Sequence, residues 1–408
     1  MQTIRSNGVR LLIVDEEIIV GGVETLRLNL IPELARLCES LVWVLPKPHD
    51  QIFCERMRSV PNLVVESLSW PRGSVGHVFG ALLRRMPRIF FTTSLADGFA
   101  RWINNGRIRK LARLHSADWC LTTCVFGQPP PILSLPLAGF VCDVNPALPE
   151  CIHRNMIAWL RTANVVFGIS EFTCAELRRL APDCSAKIYA VSMAAPSSSA
   201  GQSFAPQSKI DFYFPAAAHG HKGHLVLFQA CVLLARRGFD FRLGLSGPGT
   251  GGFLRGGTFA KPDMEAARRF LESHAEELDG RIKVAGDVTP EEVDALYASA
   301  RSVVLPSRYE GFGLPLAEAL RRGKEILCSD IPPFREQLAI YDAFDCAQII
   351  PPGDSGRLAD AMERILKTPL VSPLSPAEID RRIARWTWAD AARCCYDHLS
   401  NDFRRALR

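Results

Sequence analysis

From Phe212 onward, short and wholly apolar runs alternate with longer stretches of helical period, and no other feature limits the fold so sharply. Residues 212–215, 241–246, 282–285, 303–306, 326–329 and 348–350 read as strands; 225–236, 266–278, 291–298, 316–322 and 357–366 read as the helices between them. Strands without a polar face need cover on both sides, so the pattern predicts a parallel sheet between helical layers. At Thr289-Pro-Glu-Glu292 a capping residue, a proline at the first helical position and a glutamate three residues after the cap mark one helix start. The first half repeats the pattern less regularly, with strand candidates at 11–14, 41–45, 63–66, 119–122, 139–142 and 165–169.

Between the halves, residues 193–208 are rich in Ser, Ala and Pro and lack any apolar period, which is the composition of a linker. A chain of 408 residues is also longer than one core usually organises. Two doubly wound domains are therefore expected, residues 1–197 and 198–386, with a last helix in 387–408 packing back on the first. Such domains place ligand loops at the carboxyl ends of their strands, and the cleft between them is the expected site. No repeat of 20–50 residues interrupts this reading.

Composition excludes several classes. With 48% hydrophobic and 22% charged residues the chain is ordinary globular material, not a disordered one. The thirteen cysteines form no Cys-x-x-Cys pair, and an odd, scattered set fits reduced thiols better than a disulfide framework or a zinc site. The N-terminal apolar run stops at Asp15, Glu16 and Glu17, too short for a signal core or a membrane span. A cytoplasmic protein is expected, without a nucleic-acid partner at a net charge of only +5. Residues 84–113 are locally basic: eight Arg and Lys against Asp97, with Phe90, Phe91, Phe99 and Trp102 interleaved. This suits either a solvated helix face with its aromatics inside or a surface laid on anionic lipid, which would make the protein peripheral on the cytoplasmic membrane face.

The segment from Val303 to Leu320 reads as strand, glycine loop and helix. Gly311 and Gly313 let the backbone approach a ligand, and Pro315 fits a first helical turn. The amides about Phe312, Gly313 and Leu314 then form the positive end of a helix, which suits a diphosphate. Glu310 and Glu318 flank this start. A carboxylate accepts hydrogen bonds in a fork, so Glu318 fits a ribose diol while Glu310 addresses a sugar. Two glutamates eight apart are common by themselves; their setting between strand and helix gives them weight.

Glu310-Gly-Phe-Gly-Leu-Pro-Leu-Ala-Glu318 resembles the E-x7-E motif of retaining glycosyltransferases of family 4. Gly21-Gly-Val-Glu24, Cys142-Asp-Val-Asn-Pro146, Ile169-Ser-Glu-Phe-Thr173, His221-Lys-Gly-His224 and Arg385-Trp-Thr-Trp388 resemble further segments of that family in the expected order. The resemblance implies an α/β protein of the GT-B architecture, two Rossmann-like domains facing across a cleft. It implies transfer of a hexose-type sugar from a nucleotide-diphosphate sugar to a glycan or lipid-linked acceptor, as in polysaccharide biosynthesis, with retention at the anomeric carbon. Carried over by position, Lys222 contacts the donor phosphates, Glu318 the ribose, Glu310 the transferred sugar, and the Phe312, Gly313 and Leu314 amides the distal phosphate, with Gly311 among the donor-binding residues. Gly22 lets the first domain approach the same phosphates, and Asp143 orients the acceptor hydroxyl, unless it is simply a satisfied strand-end aspartate. Two positions depart from the family: Ala217 stands where an arginine is frequent, and Cys142 replaces a histidine. No Asp-x-Asp pair occurs, so a metal-independent reaction without a cofactor is expected.

Three rival readings remain open on the residues. Gly247-Pro-Gly-Thr-Gly-Gly252 fits the dinucleotide fingerprint of an NAD-dependent oxidoreductase, although glycine and polar breaks follow where the helix should start. His219, His221 and His224 offer three imidazoles to a metal, lacking a further ligand. A degenerate nucleotide-sugar-binding protein without turnover would fit Ala217 and Cys142.

Overall fold

A computed structural model describes residues 8–16, 21–46, 57–68, 93–196, 210–254, 256–368 and 374–406. The basic residues Arg84, Arg85 and Arg88, with Phe90 and Phe91, lie outside the described residues, as does most of the linker, 197–208. The chain forms two compact units, one of Met1–Met193 with Trp388–Arg408 and one of Ala194–Thr387.

In the first unit, strands β1 (Arg10–Val14), β2 (Ser40–Leu45), β3 (Leu63–Ser67), β4 (Trp119–Thr122), β5 (Leu137–Val141), β6 (Val165–Gly168) and β7 (Lys187–Ala190) form one sheet. Their order is β3-β2-β1-β4-β5-β6-β7, parallel throughout. Helices α1 (Gly22–Leu37), α2 (Thr93–Leu114), α3 (Glu150–Thr162) and α4 (Glu171–Leu180) connect them. Completely buried strand runs such as Trp119–Thr122 and Val165–Gly168 show both faces covered, as wholly apolar strands require. Strand β7 has no counterpart among the sequence expectations. It is an edge strand of exposed and half-buried residues, so it lacks the apolar run that marks its neighbours.

The second unit contains β8 (Ile210–Pro215), β9 (Leu243–Ser246), β10 (Ile282–Gly286), β11 (Ala300–Leu305), β12 (Glu325–Ser329) and β13 (Ala347–Ile350), ordered β10-β9-β8-β11-β12-β13 and again parallel. Its helices are α5 (His224–Arg236), α6 (Pro262–Ser273), α7 (Pro290–Ser299), α8 (Leu314–Arg321), α9 (Pro332–Ile340), α10 (Ser355–Lys367) and α11 (Pro376–Ile383). Along β8 the two-residue period of a strand divides the core: Phe212 and Phe214 pack with α5 and α10, while Tyr213 packs with the residues of α7, α8 and α9. Helix α6 starts four residues before the predicted 266, because Pro262 takes the first helical position and Asp263 and Glu265 complement the first turn. At α7 the capping box forms, with the Glu292 amide 3.3 Å from Thr289 Oγ1 and the Thr289 amide 2.8 Å from Glu292 Oε2.

The chain ends in α12 (Trp388–Ala406), which packs on α1 in the first unit. Trp388, Ala391, Ala392, Cys395 and Leu399 recur at three- and four-residue spacing and form its buried face. Among the described residues no helix is long and apolar enough to cross a membrane.

Candidate functional site

Both sheets reverse their winding at a central pair of strands, β1/β4 in the first unit and β8/β11 in the second, and ligand crevices form at such reversals. In the second unit the loop leaving β8 carries Lys222 in a single 3-10 turn, Gly220–Lys222, and the loop leaving β11 carries Glu310. The two loops touch at Gly223. This residue is left-handed, with φ of 85°, and a Cβ there would lie 2.2 Å from the Pro306 carbonyl oxygen. Only a glycine can bring the lysine loop this close to the end of β11.

The consequence is a compact charged pair. The Lys222 ammonium donates to both oxygens of Glu310, at 2.8 and 2.7 Å, and Ser307 Oγ donates to Glu310 Oε1 at 2.7 Å. Glu310 is 8% exposed, and such burial of a carboxylate is tolerable because a cation and a hydroxyl satisfy it. His221 and His219 stack beside the lysine, ring centroids 5.6 Å apart. Burial, reinforced by Lys222, lowers His221 to about 4; burial and then Lys261 lower His219. At neutral pH both rings are uncharged, which leaves Lys222 as the cation of this turn.

Beyond the pair, the chain turns into α8 at Gly313, left-handed at φ of 93°. The packing is tight: a Cβ on Gly313 would meet Phe334 at 2.5 Å, and Gln337 Nε2 donates to the Gly313 carbonyl at 3.2 Å. Phe312 and Leu314 are buried, Pro315 occupies the first turn, and the first amides of the helix lack intrahelical acceptors by geometry. Gly311 precedes them. The structure thus gathers Lys222, Glu310, Gly311, Phe312, Gly313, Leu314 and Glu318 on adjoining elements of one unit.

Glu318, one turn into α8, is half-buried, and its Oε2 accepts from Tyr297 Oη at 2.7 Å. Desolvation raises its pKa, while the Tyr297 hydroxyl and the Arg322 charge oppose the rise. Arg322 stacks over the Tyr297 ring at 4.4 Å and pairs with Asp294. This supporting set was absent from the sequence reading. Nothing in the spacing of Asp294, Tyr297 and Arg322 announces it, since they join Glu318 only when α7 packs beside α8. Ser307 was likewise missed, although a hydroxyl three residues before Glu310 is a local signal.

In the first unit, Gly21 rather than Gly22 has the unusual backbone, with φ of 96°, and Gly22 is the first residue of α1. Asp143 lies at the carboxyl end of β5, half-buried, and its Oδ1 accepts from the Asn145 amide at 2.8 Å in a local turn. Cys142 points its thiol at the Thr123 carbonyl, 3.8 Å away. Its pKa is pushed well up, first by a hydrogen bond to Cys124 and then by burial. The centre of this strand end is Asp15, which the sequence showed only as a break in an apolar run. Its carboxylate accepts from Trp43 Nε1 at 2.9 Å, the Thr123 amide at 3.0 Å and Thr123 Oγ1 at 2.8 Å, and it pairs with Arg27 at 3.2 Å. The network ties β1, β2, β4 and α1 together exactly where the winding reverses.

Two rival patterns take structural places. After β9 the glycines of 247–252 lead into a short 3-10 turn, Thr250–Phe253, and the next α-helix begins only at Pro262, so the helix start that a dinucleotide pyrophosphate needs is missing from that loop. His224 is 1% exposed, with its ring packed against Phe214, Phe228 and Phe253. Among the described residues no three His, Cys, Asp or Glu side chains are gathered as metal ligands.

These glycine turns, the lysine loop and the glutamate-flanked helix all fall in one stretch of known type. Residues 199–383 match the family of glycosyl transferases group 1. Over 82 residues, 20% of this chain, the sequence is 38% identical to O-antigen chain mannosyltransferase B of Escherichia coli, covering 18% of that protein. Over 148 residues, 36% of this chain, it is 26% identical to alpha-D-kanosaminyltransferase of Streptomyces kanamyceticus, covering 34% of that protein. The matched stretches therefore span well under half the length of these relatives. A solved glycosyltransferase from Rickettsia africae ESF-5 superposes with a TM-score of 0.66 at 16% identity, over 99% of this chain and all of that one. The fold is GT-B, two parallel-sheet α/β units.

Proposed function

We propose that the protein is a glycosyltransferase that takes a hexose-type sugar from a nucleotide-diphosphate donor, without a metal and with retention, and passes it to a glycan or lipid-linked acceptor. The observation that carries this reading is the Lys222–Glu310 pair at the β8/β11 reversal, next to the α8 helix start. As the bond from the anomeric carbon to the phosphate breaks, negative charge grows on the departing diphosphate. Lys222 and the α8 amides stabilise that charge, and they do so in a partly desolvated setting where each is worth more than in water. Glu310 holds the ammonium in place and presents a carboxylate to the positive charge developing on the sugar. Glu318 binds the ribose. Tyr297 occupies one face of its Oε2, so Oε1 is the oxygen with most capacity for the ribose hydroxyls. On the first unit, Asp143 is assigned to the acceptor hydroxyl. The protein acts at the cytoplasmic side of a membrane, among the enzymes that build surface polysaccharide.

Thermal melts against UDP-, GDP- and ADP-sugars test the donor assignment. A donor present at about 100 times its Kd adds about 2.7 kcal/mol to the native state, so one nucleotide class is expected to raise Tm clearly above the rest. A flat response to every sugar nucleotide would remove the basis for the reading. With the donor known, the anomeric configuration of the product by NMR and the rate in excess chelator decide retention and metal independence.

Tyr297→Phe probes the ribose contact. Glu318 accepts with both oxygens and full charge only when ionised, and protonation weakens its hold on a diol, so donor affinity is expected to rise as pH climbs through its raised pKa. The Tyr297 hydroxyl stabilises the ionised form, and its loss should move the midpoint of that rise to higher pH. For stability the sign is opposite: with a folded value above the ordinary one, the favourable contribution is complete below the ordinary pKa and is lost as pH rises through the folded value. Donor Kd measured as a function of pH reports the midpoint, and an unmoved midpoint in the variant contradicts the Glu318 assignment.

A further inference from the structure

At the amino ends of the strands in the first unit, opposite the end that holds Asp15 and Asp143, there is a cavity of about 410 Å³. Strand ends and a helix end build it. Arg10 opens β1, Asp118 immediately precedes β4, Arg109 and Arg113 come from the carboxyl-terminal turns of α2, Ser116 follows that helix, and Ser134 lines the same cavity. Five residues of strand, at about 3.3 Å each, separate this end of β1 from its other end.

Three arginines and one aspartate line this cavity, and among the described residues the carboxylate is engaged by Arg10 alone. Asp118 Oδ1 accepts from Arg10 Nη2 at 2.9 Å, and its Oδ2 accepts from Arg10 Nε at 3.2 Å and the Arg10 amide at 2.9 Å. Arg109 and Arg113, four residues apart on α2, share one face of the helix. Arg109 Nε donates to the Ile132 carbonyl at 3.1 Å, which fixes the side chain and leaves its two terminal nitrogens. Among the described residues no carboxylate pairs with Arg109 or Arg113, so the cavity carries two positive charges that no ion pair offsets. Ser116 adds a hydroxyl from a left-handed backbone, φ of 49°, where glycine would sit at lower cost. The serine backbone there carries a strain of about 1 kcal/mol.

We propose that this cavity binds a phosphate group. Guanidinium forks match phosphate oxygens bidentately, serine hydroxyls donate to the same oxygens, and a doubly charged anion balances two free cations. A soluble phosphate ester and a phospholipid headgroup share that chemistry. Leu133 and Leu135, both half-buried, line the cavity beside Ser134 and give a headgroup some apolar surface next to the charged one.

The test uses the whole protein at low ionic strength, with inorganic phosphate as one probe and vesicles of phosphatidylglycerol or of phosphatidylcholine as the other. Arg109→Ser combined with Arg113→Ser, and separately Ser134→Asp, should each weaken phosphate binding by about tenfold or more, that is by about 1.4 kcal/mol or more. Phosphate held by the donor loops would survive both cavity variants and be lost in Lys222→Met, so only the component lost in the cavity variants is assigned to this site. Binding of phosphatidylglycerol but not phosphatidylcholine vesicles, lost in the same variants, identifies a headgroup; phosphate binding without vesicle binding identifies a soluble ester. If the parent binds neither probe, or if both cavity variants keep the parent affinity, the assignment is wrong.

Discussion

Replacing Lys222 with methionine is expected to slow sugar transfer at saturating donor by about 100- to 1000-fold, the usual cost of losing one preorganised group that meets developing negative charge. The same change should also destabilise the protein. Glu310 would keep only the Ser307 hydroxyl at 2.7 Å while remaining 8% exposed, and stranding one member of such a pair costs about 3 kcal/mol. A second substitution separates the two effects. In the double variant Lys222→Met with Glu310→Gln the stranded charge is gone, so the denaturation midpoint should recover most of the loss while the rate stays low. Initial rates and urea melts on parent, single and double variants measure both. A single variant that transfers sugar within a few-fold of the parent would show that Lys222 has only a structural part.

Gly223→Ala should produce the largest loss of stability among the glycine substitutions in the second unit, about 3 kcal/mol or more, and should abolish donor binding. The added methyl carbon would lie 2.2 Å from the Pro306 oxygen, a backbone atom that cannot swing aside, and φ is 85° besides. Relief requires the two loops to part, which carries Lys222 away from Glu310. Gly238→Ala is the matched comparison: φ is 81°, but nothing lies within 4 Å of the new atom. That variant should lose only about 1 kcal/mol, the cost of the backbone conformation, and should keep the full donor response. Equal losses in the two variants would mean that loop contact at Pro306 has no special weight.

The period of the apolar runs made most strands of both sheets legible, because wholly buried strands have few alternatives. The edge strand β7 was not legible, since partial exposure removes the same signal. The strand–glycine–helix segment around Glu310 could be read because its chemistry is contiguous in the chain. Asp15 and Tyr297 could not. Each acts through partners distant in sequence, Trp43 and Thr123 for the first and Glu318 for the second, and only the packing of helices and neighbouring strands brings those partners within hydrogen-bond reach. The distinction between Gly21 and Gly22 was also beyond the sequence, because either glycine satisfies the local composition and only the backbone angle tells them apart.

The packing of α12 on α1 has a temporal consequence. During translation residues 1–193 leave the ribosome long before Trp388 does, so the first unit must wait with one flank of α1 uncovered until α12 has been made. Leu399 and Cys395 close that flank last. Ribosomes stalled before α12 has emerged should therefore hold a species that chaperones recognise, and synthesis past Ala406 should end that recognition.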